Sequence, residues 1–223
     1  DLAGNRFTLT VQTEQKAATP SEFFIPNYFD DQRFSTHNVQ LGLHLMRKQF
    51  KEALELLISY DTDVQEELQQ RLEKHPNDYL GALRLLPKKT ILFYVHAVQS
   101  MLFNELLSEE VDEGKKVSYS QGSFVFPSQA VTEVQQKELP LIGFGTDGYE
   151  EFLARHNLVA RDFLMPSLPE FSLPGATRKA YAEVRECSSK KTETGKVAVS
   201  FILGKGSYAT IVLRQLFATD ESE

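Results

Sequence analysis

At 223 residues the chain is 41% hydrophobic and 25% charged, with 16 Phe, no Trp and a net charge of -7. This is the composition of a folded globular protein, long enough for one large domain or two small ones. No apolar run approaches the roughly 20 residues of a membrane helix, and no signal peptide is expected. The single cysteine, Cys187, rules out an internal disulfide framework and suits a reducing compartment.

The charge is unevenly spread. Residues 1–50 are neutral overall and residues 51–170 carry a net -9, whereas residues 171–215 carry a net +5. The tail, with Asp220, Glu221 and Glu223, adds a net -3. Base therefore gathers near the C-terminal end, and a polyanion can be bound if the two ends of the chain form one face. An ordinary solvated basic face is the equally open alternative. The start at Asp1, without a methionine, reads as a piece of something longer.

In chain order, Asn5 to Gln12 alternates, with Phe7, Leu9 and Val11 on one face, and predicts a half-buried strand. Phe23 to Phe34 is dense in aromatics but shows neither periodicity, and is expected to be an ordered loop. Asn38 to Tyr60 has helical spacing throughout and predicts one helix. Asp61 or Asp63 can cap a second, polar helix to about Lys74, and a short helix Tyr79 to Leu85 ends before Pro87. Thr90 to Leu107 is apolar almost all round, which predicts a buried central helix.

Short strands are expected at Val117 to Tyr119, Phe124 to Phe126 and Leu139 to Ile142, with a turn at Gly143 to Gly145. A short helix follows at Tyr149 to His156, then an extended crossing from Met165 to Pro174 with three prolines. Ala180 to Cys187 predicts a strand, and Ser188 to Gly195 a hairpin-length loop. The last segment, Lys196 to Phe217, predicts a strand with Val197, Val199, Phe201 and Leu203 on one face and covered on both sides. Gly204-Lys205-Gly206 breaks it, and Ser207 can cap a helix that buries Ala209, Ile211, Val212 and Leu216. The turn holds Tyr208 beside Lys205; such a turn either merely joins two elements or presents the tyrosine for use.

Most catalytic constellations are absent. His37, His44, His96 and His156 lack metal-ligand spacing, and one cysteine cannot build a zinc site. His96 reads as a hydrogen-bonded core histidine, and Cys187 as inert within its strand. The Asp30-Asp31 pair reads as solvated or capping. No phosphate loop or nucleophile elbow is complete. The elements define an α+β protein in which two ends of one sheet flank an acidic region, and at this point they define no function.

NRFTLTV with its Asn-x-Phe, IPNYFDDQRFST, LPKKTILFYVHAVQSMLFN and, at the end, VSFIL followed by GKGSYATIVLRQLF occur in that order over most of the chain. They resemble the blocks of the TruD family of tRNA pseudouridine synthases. The departures are Asp30 and Ser35, where the family usually has glycine. The resemblance implies an α+β fold: part of the pseudouridine synthase mixed or antiparallel catalytic sheet plus the TruD-specific insertion domain. It assigns residues 1–29 and 171–223 to the catalytic sheet and 30–170 to the insertion, with the strands Arg6–Gln12 and Val197–Leu203 in one sheet and Phe7 and Tyr208 near one cleft.

The resemblance also implies a reaction: a uridine of tRNA, at position 13, is isomerised to pseudouridine by detaching uracil from C1′, turning it and rejoining it through C5. No metal and no organic cofactor is implied; the partner is tRNA or another RNA, no membrane is involved, and a cytoplasmic monomer (nuclear in a eukaryote) is expected. The family's nucleophile is an aspartate in a Gly-x-Lys-Asp motif that residues 1–223 do not contain, so the chain by itself is expected to be inactive. Asn5, Phe7 and Tyr208 match the family's pocket, where a ring stacks on the flipped base and an amide meets its edge. Lys205 and Arg214 can contact phosphate or pair with the absent aspartate, and Arg33 either contacts RNA or braces the aromatic loop. A non-catalytic RNA-binding homologue, and an unrelated α+β hydrolase using Cys187 or His96, are the alternatives.

Overall fold

The first and last strands expected from sequence pair over their whole length, from Asn5 opposite Leu203 to Gln12 opposite Lys196. The computed structural model describes residues 4–13, 20–35, 37–111, 113–193 and 195–218. Asp1, Thr36 of the aromatic segment and the acidic tail Asp220, Glu221 and Glu223 lie outside the described residues. In order come β1 (Asn5–Gln12), β2 (Phe23–Pro26), α1 (Asn38–Met46), α2 (Phe50–Tyr60), α3 (Thr62–Lys74), α4 (Tyr79–Leu83) and α5 (Lys88–Val111). They are followed by β3 (Lys115–Tyr119), β4 (Gly122–Phe126), β5 (Glu138–Leu141), α6 (Glu150–Arg155), β6 (Ala176–Lys179), β7 (Tyr181–Glu193), β8 (Lys196–Leu203) and α7 (Ala209–Phe217). The fold is α+β, as the sequence predicts.

Two compact units share the chain. One holds Asp1–Gln32, Phe103–Leu139 and Thr177–Glu223; the other holds Arg33–Leu102 and Pro140–Ala176. Phe103–Leu139 thus packs with the terminal segments. The reason is Tyr28, fully buried, whose hydroxyl donates to Val125 O at 2.9 Å and accepts from Val125 N at 3.1 Å, tying the β4 hairpin to the aromatic segment. Burial pushes that phenol far above its ordinary pKa.

The first unit is built on a four-stranded antiparallel sheet in the order β1-β8-β7-β2. Val197, Val199, Phe201 and Leu203 are buried, while Lys196, Ala198, Ser200 and Ile202 are half-buried, so β8 is fully covered on one face only. Lys115 Nζ donates to Ala218 O at 2.6 Å, Gln215 O at 3.1 Å and Arg214 O at 3.3 Å, which satisfies carbonyls at the end of α7 with a positive charge.

Several sequence expectations need correction. Phe23–Pro26 is a strand, not a loop; Phe23, Ile25 and Pro26 are buried and Phe24 half-buried, so the segment shows no alternation. A single 3-10 turn follows at Asp31–Arg33. The helix expected over Asn38–Tyr60 breaks at Lys48, which adopts φ 61° with its N–H on Leu45 O. Both halves face the same core, so the apolar spacing runs through the break.

Residues 188–193 continue β7 and are not a loop. A bulge between Arg185 and Ser188, with Glu186 at φ 50°, carries the strand out into solvent, where polar side chains pair as readily as apolar ones. The crossing before β6 winds through 3-10 turns at Ala160–Phe163 and Pro169–Phe171. Ser207 does not cap α7: Tyr208 holds the N-cap position without a side-chain cap bond.

In the second unit α1 meets α5 at Gly42. A Cβ there would lie 2.3 Å from Tyr94 O and 2.6 Å from Val98 Cγ2. Asp61 caps α3, accepting from Asp63 N at 3.1 Å, and Asp78 caps α4, accepting from Gly81 N at 3.0 Å. Gln99, buried on α5, donates to Ile142 O at 3.0 Å.

Two stability predictions follow from these contacts. Gly42→Ala is expected to lower unfolding free energy by about 1–3 kcal/mol, because backbone must move to admit the methyl. Lys115→Met is expected to lower it by about 1–2 kcal/mol by uncapping α7. Urea titration followed by circular dichroism checks both.

Candidate functional site

The glycine turn after β8 is held by a buried asparagine from the aromatic segment. Asn27 Nδ2 donates to Lys179 O at 3.0 Å, and its Oδ1 accepts from Ser207 Oγ at 3.1 Å and from Arg178 Nη2 at 2.8 Å. Arg178 Nε also donates to Asn27 O at 3.1 Å and Nη2 to Gly206 O at 2.8 Å. Gly206 adopts φ 85°, a conformation side-chained residues avoid, so the carbonyl can turn toward the guanidinium. Arg178 lies 4.2 Å from the Phe29 ring centroid and 5.6 Å from that of Phe103.

Phe29 is fixed in turn by Asn104 of α5, whose Oδ1 accepts from Phe29 N at 2.9 Å while Nδ2 donates to Phe29 O at 2.8 Å. The Phe29 ring meets Tyr208 edge-on at 6.2 Å. Tyr208 is thus set by a chain of contacts running from Asn104 through Phe29, and by the turn that Arg178 and Asn27 anchor. Sequence reading missed Asn27, Arg178 and Asn104. The available signal was a polar residue inside each of two apolar segments, since a buried amide must find partners.

Asn5 is exposed at the start of β1, opposite Leu203, so it stands at the end of the ladder from which the turn departs. Phe7, half-buried on the same face of β1, lies 5.8 Å from Phe201. The ring contacts therefore put Phe7 on Phe201 and Tyr208 on Phe29. A cleft of about 410 Å³ opens beside the turn, lined by Asn27, Arg178, Lys179, Arg185, Lys205 and Ser207 among others. Of the sequence candidates only Lys205 lines it.

Arg214 is occupied by protein acids. Its Nη2 donates to Asp31 Oδ2 at 2.8 Å, and its Nε lies 3.2 Å from Asp30 Oδ1, a charge contact without hydrogen-bond alignment. Nη1 donates to Ser118 O at 3.2 Å, and Phe124 lies under the guanidinium at 5.5 Å. Asp30 is buried, unlike the solvated pair expected from sequence. Tyr119, stacked on Phe124 at 4.1 Å, has its phenol pushed up to about 12 by burial.

Arg33 belongs to the other unit, where Nε donates to Ser100 Oγ at 3.4 Å and the guanidinium lies 5.0 Å from the Phe93 ring. Burial and the Arg33 charge hold His96 below its ordinary pKa. Cys187 is buried in β7, in the sheet unit. Among the described residues no group of three or more His, Cys, Asp or Glu side chains could hold a metal ion, and no helix is long and apolar enough to cross a membrane.

The model of the family described as tRNA pseudouridine synthase D (TruD) matches residues 62–143 and 142–216, and the chain belongs to that family. A Methanopyrus kandleri protein assigned as tRNA pseudouridine synthase D is 30% identical, the match covering 99% of this chain and 66% of the relative. Its counterpart from Nanoarchaeum equitans is 26% identical over 96% of this chain and 66% of its own length. The chain thus spans about two thirds of these relatives. A crystal structure of a Methanosarcina mazei protein assigned to TruD superposes with a TM-score of 0.72 at 21% identity, covering 99% of this chain and 70% of the other, and shares its fold.

Removing one side of the buried ion pair tests its structural weight. Arg214→Ala is expected to destabilise the protein by about 3 kcal/mol, because Asp30 is left charged and buried. Adding Asp30→Asn is expected to restore part of that loss in the same urea titration.

Proposed function

We propose that the chain carries one wall of the uridine pocket of a tRNA pseudouridine synthase. The observation that carries this reading is family membership joined to geometry: Asn5 lies opposite Leu203, where β8 runs into the Tyr208 turn. In this reading the target nucleotide leaves its stack. Asn5 offers a donor and an acceptor to the uracil edge or ribose, and Phe7 and Tyr208 offer ring surface and a hydroxyl.

The base must be held while its bond to C1′ is broken, and held again in a turned orientation while C5 bonds to the same carbon. Flat, sequence-tolerant contacts suit both orientations better than a full hydrogen-bond frame would. The nucleophilic aspartate is assigned outside residues 1–223, and these residues alone are expected to leave uridine unchanged. The net +5 of residues 171–215 supports tRNA as the partner. No metal or organic cofactor enters the proposed reaction, and a cytoplasmic monomer (nuclear in a eukaryote) is the proposed state.

Pseudouridine formation on tRNA transcripts by the full-length protein tests this. Conversion by the parent is expected, with Phe7→Ala and Tyr208→Ala each lowering kcat/KM about 5- to 150-fold, the equivalent of about 1–3 kcal/mol of stacking. Unaffected variants would remove the site assignment. Binding of tRNA without conversion would establish the non-catalytic homologue instead.

A further inference from the structure

We infer that the cleft beside the glycine turn is a track for the phosphodiester backbone of the RNA strand flanking the target uridine, with Lys179 and Lys205 as its phosphate contacts. This rests on the proposed reading of the Tyr208 turn as a pocket wall. The cleft lies within the sheet unit, between the end of β6, the solvent side of β7 and residues 204–207. Its lining contains four cations, Arg178, Lys179, Arg185 and Lys205, and a single acid, Glu183. That excess of base stands in a chain whose overall charge is -7, and a local positive surface on an acidic protein is what a polyanion requires.

The four cations divide by their partners. Arg178 spends Nε and Nη2 on Asn27 and Gly206, so it braces the wall. Lys179 and Lys205 are exposed, and each is a flexible point charge suited to phosphate oxygens of any sequence. Glu183, the acid of the lining, lies with its Oε2 3.7 Å from Arg185 Nε, and its charge opposes an arriving phosphate. Lys179 and Lys205 also flank the Asn27–Arg178–Gly206 bonds that anchor the turn. A strand lying in the cleft is therefore held against the element that positions Tyr208.

The test is tRNA binding by the full-length protein across a salt series, for the parent, Lys179→Gln, Lys205→Gln, the double variant and Glu183→Gln. Each lost phosphate contact lowers the slope of log affinity against log salt by roughly 0.7–0.9, so the double variant is expected to lose about 1.5 and to bind more weakly at low salt. Glu183→Gln is expected to bind more tightly, an effect that a damaged fold does not produce. An unchanged slope in the double variant, or weaker binding in Glu183→Gln, overturns the proposal. If the parent forms no pseudouridine yet the slopes shift as expected, the synthase reading fails and the RNA track stands.

Discussion

The turn that ends β8 is held by Arg178 on Gly206 O and by Ser207 on Asn27, with no side-chain cap on the helix that follows. Arg178 donates to the backbone and side chain of Asn27 and to Gly206 O, while its face rests on Phe29. These are charge-assisted bonds to an asparagine whose own amide is buried and spoken for by Lys179 O. Within the sheet unit, these bonds join the aromatic segment, the end of β6 and the glycine turn. A turn of two glycines, flexible alone, becomes rigid where Tyr208 is presented.

Helix α7 is secured from the other side by a second set of charges. Arg214 binds Asp31 and the buried Asp30, and Lys115 collects the carbonyls at the helix end. Asp30 is buried and has Arg214 as its charge partner. Arg214 is thus committed to the fold. Of the four cations that line the cleft, Arg178 braces the turn and Lys179 and Lys205 are exposed. The division between bracing and binding cations follows from partners, which residue type alone does not reveal.

Sequence patterns located the elements whose periodicity reports on one neighbour. The alternation of β1 and β8 and the all-round apolarity of α5 correspond to observed elements, as does the Asp61 cap. Patterns misled where the backbone departed from its side chains. Lys48 breaks a helix without Gly or Pro, because its left-handed conformation leaves the apolar spacing in phase. Polar residues 188–193 extend β7, because ladder hydrogen bonds are made by backbone and the bulge at Glu186 turns that ribbon outward. Of the residues named from sequence motifs, Lys205 lines the cleft, Tyr208 follows the glycine turn and Arg214 pairs with Asp31 and Asp30. Asn27 and Asn104 were signalled only by lying inside apolar segments, and the partners of Arg178, at Asn27 and Gly206, are distant in sequence.

The sequence by itself determined the α+β class, the half-buried face of β1 and the buried face of β8, the basic character of residues 171–215 and the family to which the blocks belong. Each depends on composition or on neighbours along the chain. Only the tertiary structure decided that Phe103–Leu139 packs with the terminal segments, that Arg214 answers Asp30 and that Arg178 closes the turn onto Asn27. The two pairings join residues more than 150 positions apart. Their energies come from burial and geometry, which a linear order of side chains does not contain.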